Sequence, residues 1–136
     1  MTRIEREPID PKDTETVRAV LTDARAFIAD EATWTKGAGA RNAKGVPVSS
    51  WDDEAVCFCT IGAVARAAYQ RGLSDEMHAM VRLDEAARRV HDLPPGDRPM
   101  PEFLRPAAYV NDYLGREAAL AMFDNALENL THDADA

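Results

Sequence analysis

The run from Ala55 to Tyr69 constrains this chain more than any other segment. Ala55-Val56-Cys57-Phe58-Cys59-Thr60-Ile61-Gly62-Ala63-Val64-Ala65-Arg66-Ala67-Ala68-Tyr69 carries Arg66 as its only charge. A helix apolar on most of its faces belongs inside a protein. The segment is too short and too interrupted to cross a bilayer, so it reads as the central, most buried helix of a globular domain. Ser49 or Ser50, with Asp52 and Asp53 three residues further on, resembles a capping box and would start it. Gly72 is a natural stop beyond Arg71. Gly62, in mid-helix, costs roughly 1 kcal/mol against alanine, so it is expected to admit a neighbouring backbone or ring.

The rest of the chain is arranged around that centre. Asp13 or Thr14 can cap a first helix in which Val17, Val20, Leu21, Ala24, Phe27 and Ile28 share one face, ending near Glu31 or Ala32. A third helix starts at Ser74, aided by Asp75 and Glu76, and stops at Leu93 before Pro94-Pro95-Gly96. A proline-rich connector to Pro106 follows, with room for one short turn at Glu102-Phe103-Leu104. The last helix follows Asn111-Asp112 and aligns Ala119, Met122, Phe123, Ala126, Leu127 and Leu130.

Between the first two helices the periodicity changes. Thr33-Trp34-Thr35 and Val46-Pro47-Val48 suit extended chain, and Asn42-Ala43-Lys44-Gly45 is turn chemistry. A short hairpin or an ordered loop fits, with Pro47 on an edge strand in the first case. The expected fold is therefore mainly α, a compact four-helix domain with this insertion between helices 1 and 2. Residues 1–12 read as a polar arm, 13–131 as a single domain and 132–136 as a frayed tail.

Composition narrows the partners. The 136 residues carry 16 Lys and Arg against 24 Asp and Glu, a net charge of −8. That field opposes phosphate backbones and anionic lipid, so nucleic acid is an unfavourable partner and no membrane association is expected. Cys57 and Cys59 are too close for an unstrained disulfide, which suits a reducing cytoplasm.

Candidate chemistry is sparse. On a helix, residues two apart point about 200° away from one another, so Cys57 and Cys59 would not share a metal. A C-x-C metal site would need extended chain, and no second Cys pair or close His pair completes one. No cofactor motif is present either: Lys36 in Thr35-Lys36-Gly37-Ala38-Gly39 lacks the order of a phosphate-binding loop. Cys59 and Asp112 remain the catalytic candidates, and Trp34, Lys36 and Asn111 the binding candidates. A buried cysteine more often acts as a small hydrophobe, and Asn111 or Asp112 suits a helix cap. His78 and His91 lie on the third helix, with nothing local placing either beside a cysteine.

Several of these residues occur together in a recognisable order. They are Trp34-Thr35-Lys36-Gly37, Gly45-Val46-Pro47-Val48, Cys59 with Gly62-Ala63, Asn111-Asp112 and Phe123-Asp124-Asn125-Ala126. In that order the chain resembles a family of small bacterial and phage-associated proteins, a domain of unknown function with W-x-x-G, G-x-P-V, C-x-x-G-A and N-D motifs. The likeness spans about residues 15–130, and Tyr109-Val110 departs from the apolar residue and Trp common there. The resemblance implies a domain type and no activity. Two functions are expected: a non-catalytic protein-interaction or self-associating module using the Trp34–Val48 insertion, or a small enzyme or small-molecule site around Cys59, Lys36, Asn111 and Asp112.

Overall fold

The computed structural model describes residues 13–73, 76–91, 93 and 105–135, without the side chains of 131–135. The arm 1–12, Ser74, Asp75, the turn at 102–104 and the tail side chains lie outside the described residues. Among those described, five α-helices and a three-stranded antiparallel sheet replace the expected four helices and hairpin.

The first helix follows its stripe. In α1 (Thr14–Ile28), Val17, Val20, Leu21, Ala24 and Ile28 are buried, and the Asp13 carboxylate accepts from the Thr16 N–H at 3.2 Å. It ends earlier than expected. Asp30 accepts from the Ala32 N–H at 2.8 Å and opens a 3-10 turn, Glu31–Thr33, because a short acidic side chain offers the backbone an alternative to the helix.

The insertion is a hairpin, set further along than the sequence suggests. β1 (Ala40–Arg41) pairs with β2 (Pro47–Val48), and Trp34 makes only an isolated bridge to Phe58. The Asn42 side chain accepts from the Lys44 and Val46 N–H groups, and Gly45 takes φ +80°. Pro47 lies on an edge strand, as its missing N–H requires.

The larger correction concerns the central segment. Cys57–Phe58 is β3, paired with β1 in the order β2-β1-β3, and α2 (Thr60–Gln70) begins only after it. A short apolar run fits a buried strand or a buried helix equally by periodicity, and the open edge of β1 decides the case. The capping-box start does not form. Ser49 and Asp52 instead close consecutive turns through the Trp51 and Glu54 N–H groups. Nor is α2 buried all round: Ala63, Val64, Ala67 and Ala68 face the core, whereas Tyr69 is 55% exposed.

The fifth helix comes from the segment before the last one. α3 (Met77–Val90) gives way at His91, and α4 (Pro106–Tyr109) starts with Pro106 in its first turn. Asp84 of α3 accepts from the Ala107 N–H at 3.0 Å and from Arg105, anchoring that start. A π turn, Val110–Leu114, continues α4 until Gly115 (φ +98°), and α5 (Arg116–Asp135) follows. Leu21, Ile28, Leu83, Met122, Phe123 and Leu130 supply the bulk of the core. Fully buried Ala24, Ala63, Ala67, Ala86, Ala87 and Ala119 let the helices approach closely.

Candidate functional site

The sequence candidates meet at one place, the N-terminus of α2. A helix start leaves backbone N–H groups without intrahelical partners, which makes it the natural anion site of a small domain. Here two of those groups, on Thr60 and Gly62, are already satisfied. Cys59 is the N-cap, its Sγ accepting from the Gly62 N–H at 3.2 Å. The Thr60 N–H donates to Asn111 Oδ1 at 2.9 Å.

Asn111 does not cap α5. Its side chain is fully buried in the π turn and meets Trp34 and the start of α2, segments distant in sequence. Oδ1 accepts from Trp34 Nε1 (2.9 Å), the Thr60 N–H (2.9 Å) and Thr60 Oγ1 (3.0 Å). Nδ2 donates to the Thr35 carbonyl (3.2 Å) and to Asp112 Oδ1 (2.9 Å). One carboxamide therefore ties the strand entry, the start of α2 and the π turn together, leaving no donor free for a ligand.

Asp112 stays half-buried and accepts from the Gly37 N–H at 3.4 Å. Lys36, next to that glycine, is exposed and contributes its carbonyl to Arg41 Nη2. Trp34 turns inward, its indole N–H held by Asn111. The five candidates are thus brought into one neighbourhood, and four of them serve as structural partners there.

The thiols differ from expectation. Because Cys57 and Cys59 lie on extended chain, their Cβ atoms share one side of it, and the helical argument for opposite faces does not hold. Each thiol has a separate local role: Cys57 donates to the Arg41 carbonyl at 3.8 Å, and Cys59 caps α2. Burial pushes the Cys59 pKa up, and the Asp112 charge adds to the rise against the backbone N–H groups that lower it. A thiolate nucleophile needs the opposite environment. Accordingly, iodoacetamide should label half-exposed Cys57 in the native protein and Cys59 only on unfolding, as read by peptide mass spectrometry. Labelling of native Cys59 at a rate matching Cys57 would restore it as a nucleophile.

Sequence reasoning missed Thr35, Gly39, Arg41 and Thr60. Thr60, fully buried and polar, had the one usable signal: a hydroxyl inside an apolar run needs a partner. Gly39 had none, since its role is to let Gly62 approach; a Cβ on Gly62 would lie 1.8 Å from the Gly39 carbonyl oxygen. His78 and His91 make their contacts away from the cysteines. His91 Nε2 donates to the Ala118 carbonyl at 2.9 Å, and His78 lines a cavity of about 300 Å³ with Val17, Val81 and Leu130. Among the described residues, no group of three or more His, Cys, Asp or Glu is placed to hold a metal ion. No helix among them is long and apolar enough to cross a membrane.

Fold and site together define a mainly helical domain with a small sheet, latched by one buried asparagine at the start of α2. The chain belongs to the family of unknown function DUF6197, whose model matches residues 12–129. No curated protein and no solved structure matches it.

Proposed function

We propose that this protein is a non-catalytic protein-interaction module of the bacterial or phage cytoplasm, offering the insertion between α1 and α2 to a protein partner. The observation that supports this reading is the use of every candidate catalytic group inside the fold. Asn111 is fully hydrogen-bonded, Cys59 is a cap with a raised pKa, and two of the N–H groups of α2 that an anion would seek, on Thr60 and Gly62, are occupied. Outward, the same insertion carries Val46 (51% exposed), Trp51 (53%) and Val56 (47%), large apolar side chains that the core does not use. Rigidly held loops with exposed anchors are where binding residues concentrate.

The test is affinity capture from the source organism with wild-type, Lys36→Ala and Val46→Ser proteins as bait, with light scattering to detect self-association. We expect a partner, or a second copy, that is retained by the wild type and depleted several-fold by Val46→Ser. Equal retention by both variants, or no associated protein at all, would remove the reading.

A further inference from the structure

We infer that Trp51 and Tyr69 form the anchor of a docking surface for a basic peptide segment of a protein partner. The inference rests on the interaction-module reading and names the chemistry of the partner. The two rings stand edge to face, with centroids 6.5 Å apart and planes at 71°, and each is more than half exposed. Such a corner presents aromatic surface from two directions to one incoming cation, the arrangement that favours a lysine or arginine head.

The backbone that carries Trp51 is fixed. Its main-chain N–H donates to Ser49 Oγ at 3.2 Å, and the Asp52 N–H donates to the Ser49 carbonyl at 3.0 Å. Arg66 then secures the turn from below, donating through Nη1 to the Ser50 and Asp52 carbonyls at 2.9 and 3.0 Å. A backbone fixed before binding leaves only side-chain freedom to be lost on binding.

The charge around the corner selects the partner. Asp52, Asp53 and Glu54 directly follow Trp51, and among the described residues none of the three makes an ion pair. The arginines nearby are otherwise engaged, so of Arg66, Arg71 and Lys44 it is Lys44 that offsets part of this acidic charge. Arg66 is turned under the loop against the Phe58 ring, 5.7 Å from its centroid, and Arg71 pairs with Asp23. Lys44 lines an open cleft with Glu54. The net charge of −8 extends the same preference over a longer range.

The probe is a synthetic peptide of alternating lysine and glycine, compared with versions carrying glutamate or serine in place of lysine, followed by fluorescence anisotropy. The lysine peptide should bind, and binding should weaken with added salt. Trp51→Ala and Tyr69→Ala should each weaken it by about tenfold or more, and Asp53→Asn with Glu54→Gln should weaken it less. Tyr113→Ala, which removes an exposed ring elsewhere, should leave it unchanged. Circular dichroism and Tm of each variant separate loss of binding from loss of fold. No binding of the lysine peptide, equal binding of the serine peptide, or wild-type affinity in Trp51→Ala would overturn the inference. If Val46→Ser still loses a captured partner while the lysine peptide fails to bind, the basic-peptide inference falls and the module reading stands. A wild-type bait that captures nothing removes the module reading and this inference with it.

Discussion

Gly62→Ala should destabilise the protein by about 3 kcal/mol or more, lowering Tm by about 10 °C or more. Judged locally, the substitution is favourable, because alanine in a helix interior gains roughly 1 kcal/mol over glycine. The backbone of Gly39, just before β1, reverses the sign. A Cβ at position 62 would lie 1.8 Å from the Gly39 oxygen and 2.6 Å from its carbonyl carbon. Both atoms belong to the backbone, and Gly39 is held in register by the Cys59 N–H donating to its carbonyl at 3.1 Å. Relief would require sliding α2 away from the sheet, which also disturbs the Cys59 cap and the Asn111 latch. Gly39→Ala is the informative control: its Cβ would meet Ser50 Oγ at 3.3 Å, a hydroxyl free to rotate, so its effect should stay below about 1 kcal/mol. Chemical denaturation of the two variants decides the matter. Equal stabilities would mean that the α2–sheet approach is looser than the structure has it.

Asn111→Ala should cost about 3 kcal/mol or more, since each buried donor left without an acceptor costs about 1–3 kcal/mol. The substitution strands Trp34 Nε1 and both Thr60 donors at once. Asn111→Asp is the sharper variant, because it keeps the size and the accepting oxygen while removing the donor. Its second oxygen would face the Thr35 carbonyl and the Asp112 carboxylate, where the amide now donates. Burial and the Asp112 charge would raise the new carboxyl's pKa above its unfolded value, outweighing the Trp34 and Thr60 donors on its other oxygen, which lower it. A folded-state pKa that is raised stabilises at low pH, fully below the unfolded value, and the contribution is lost as pH rises through the raised folded-state pKa. The variant should therefore approach wild-type stability near about pH 4 and fall well below it near neutrality. A stability difference from wild type that is flat across that range would show that position 111 is not enclosed as described. Indole emission gives a second readout, as Trp34 loses its hydrogen-bond partner in Asn111→Ala.

Much of the local structure was legible from residues close in sequence. The stripe from Val17 to Ile28 forms one buried helical face, and the stripe from Ala119 to Leu130 forms another. Asn42 to Gly45 forms a turn, Pro47 sits at an edge, and Gly62 admits a neighbouring backbone. Other segments were not legible. Ala55 to Phe58 is as apolar as the helix it was assigned to, and only the partner strand at Ala40–Arg41 distinguishes the two outcomes. Asn111 looked like a helix cap because asparagine favours caps. Its actual partners, Thr60 and Trp34, stand 51 and 77 residues away in the chain.

The sequence by itself determined the helical faces, the hairpin turn and the glycine at the close approach, because side-chain periodicity and backbone φ preferences act over a few residues. The tertiary structure alone decided that Cys57–Phe58 is a strand, that Cys59 caps α2, and that Asn111 joins three segments. It also brought Trp51 and Tyr69 together at the surface. Those outcomes depend on which unsatisfied backbone groups and which rings are carried into contact when the whole chain closes. A periodic pattern, however clear, contains no record of that.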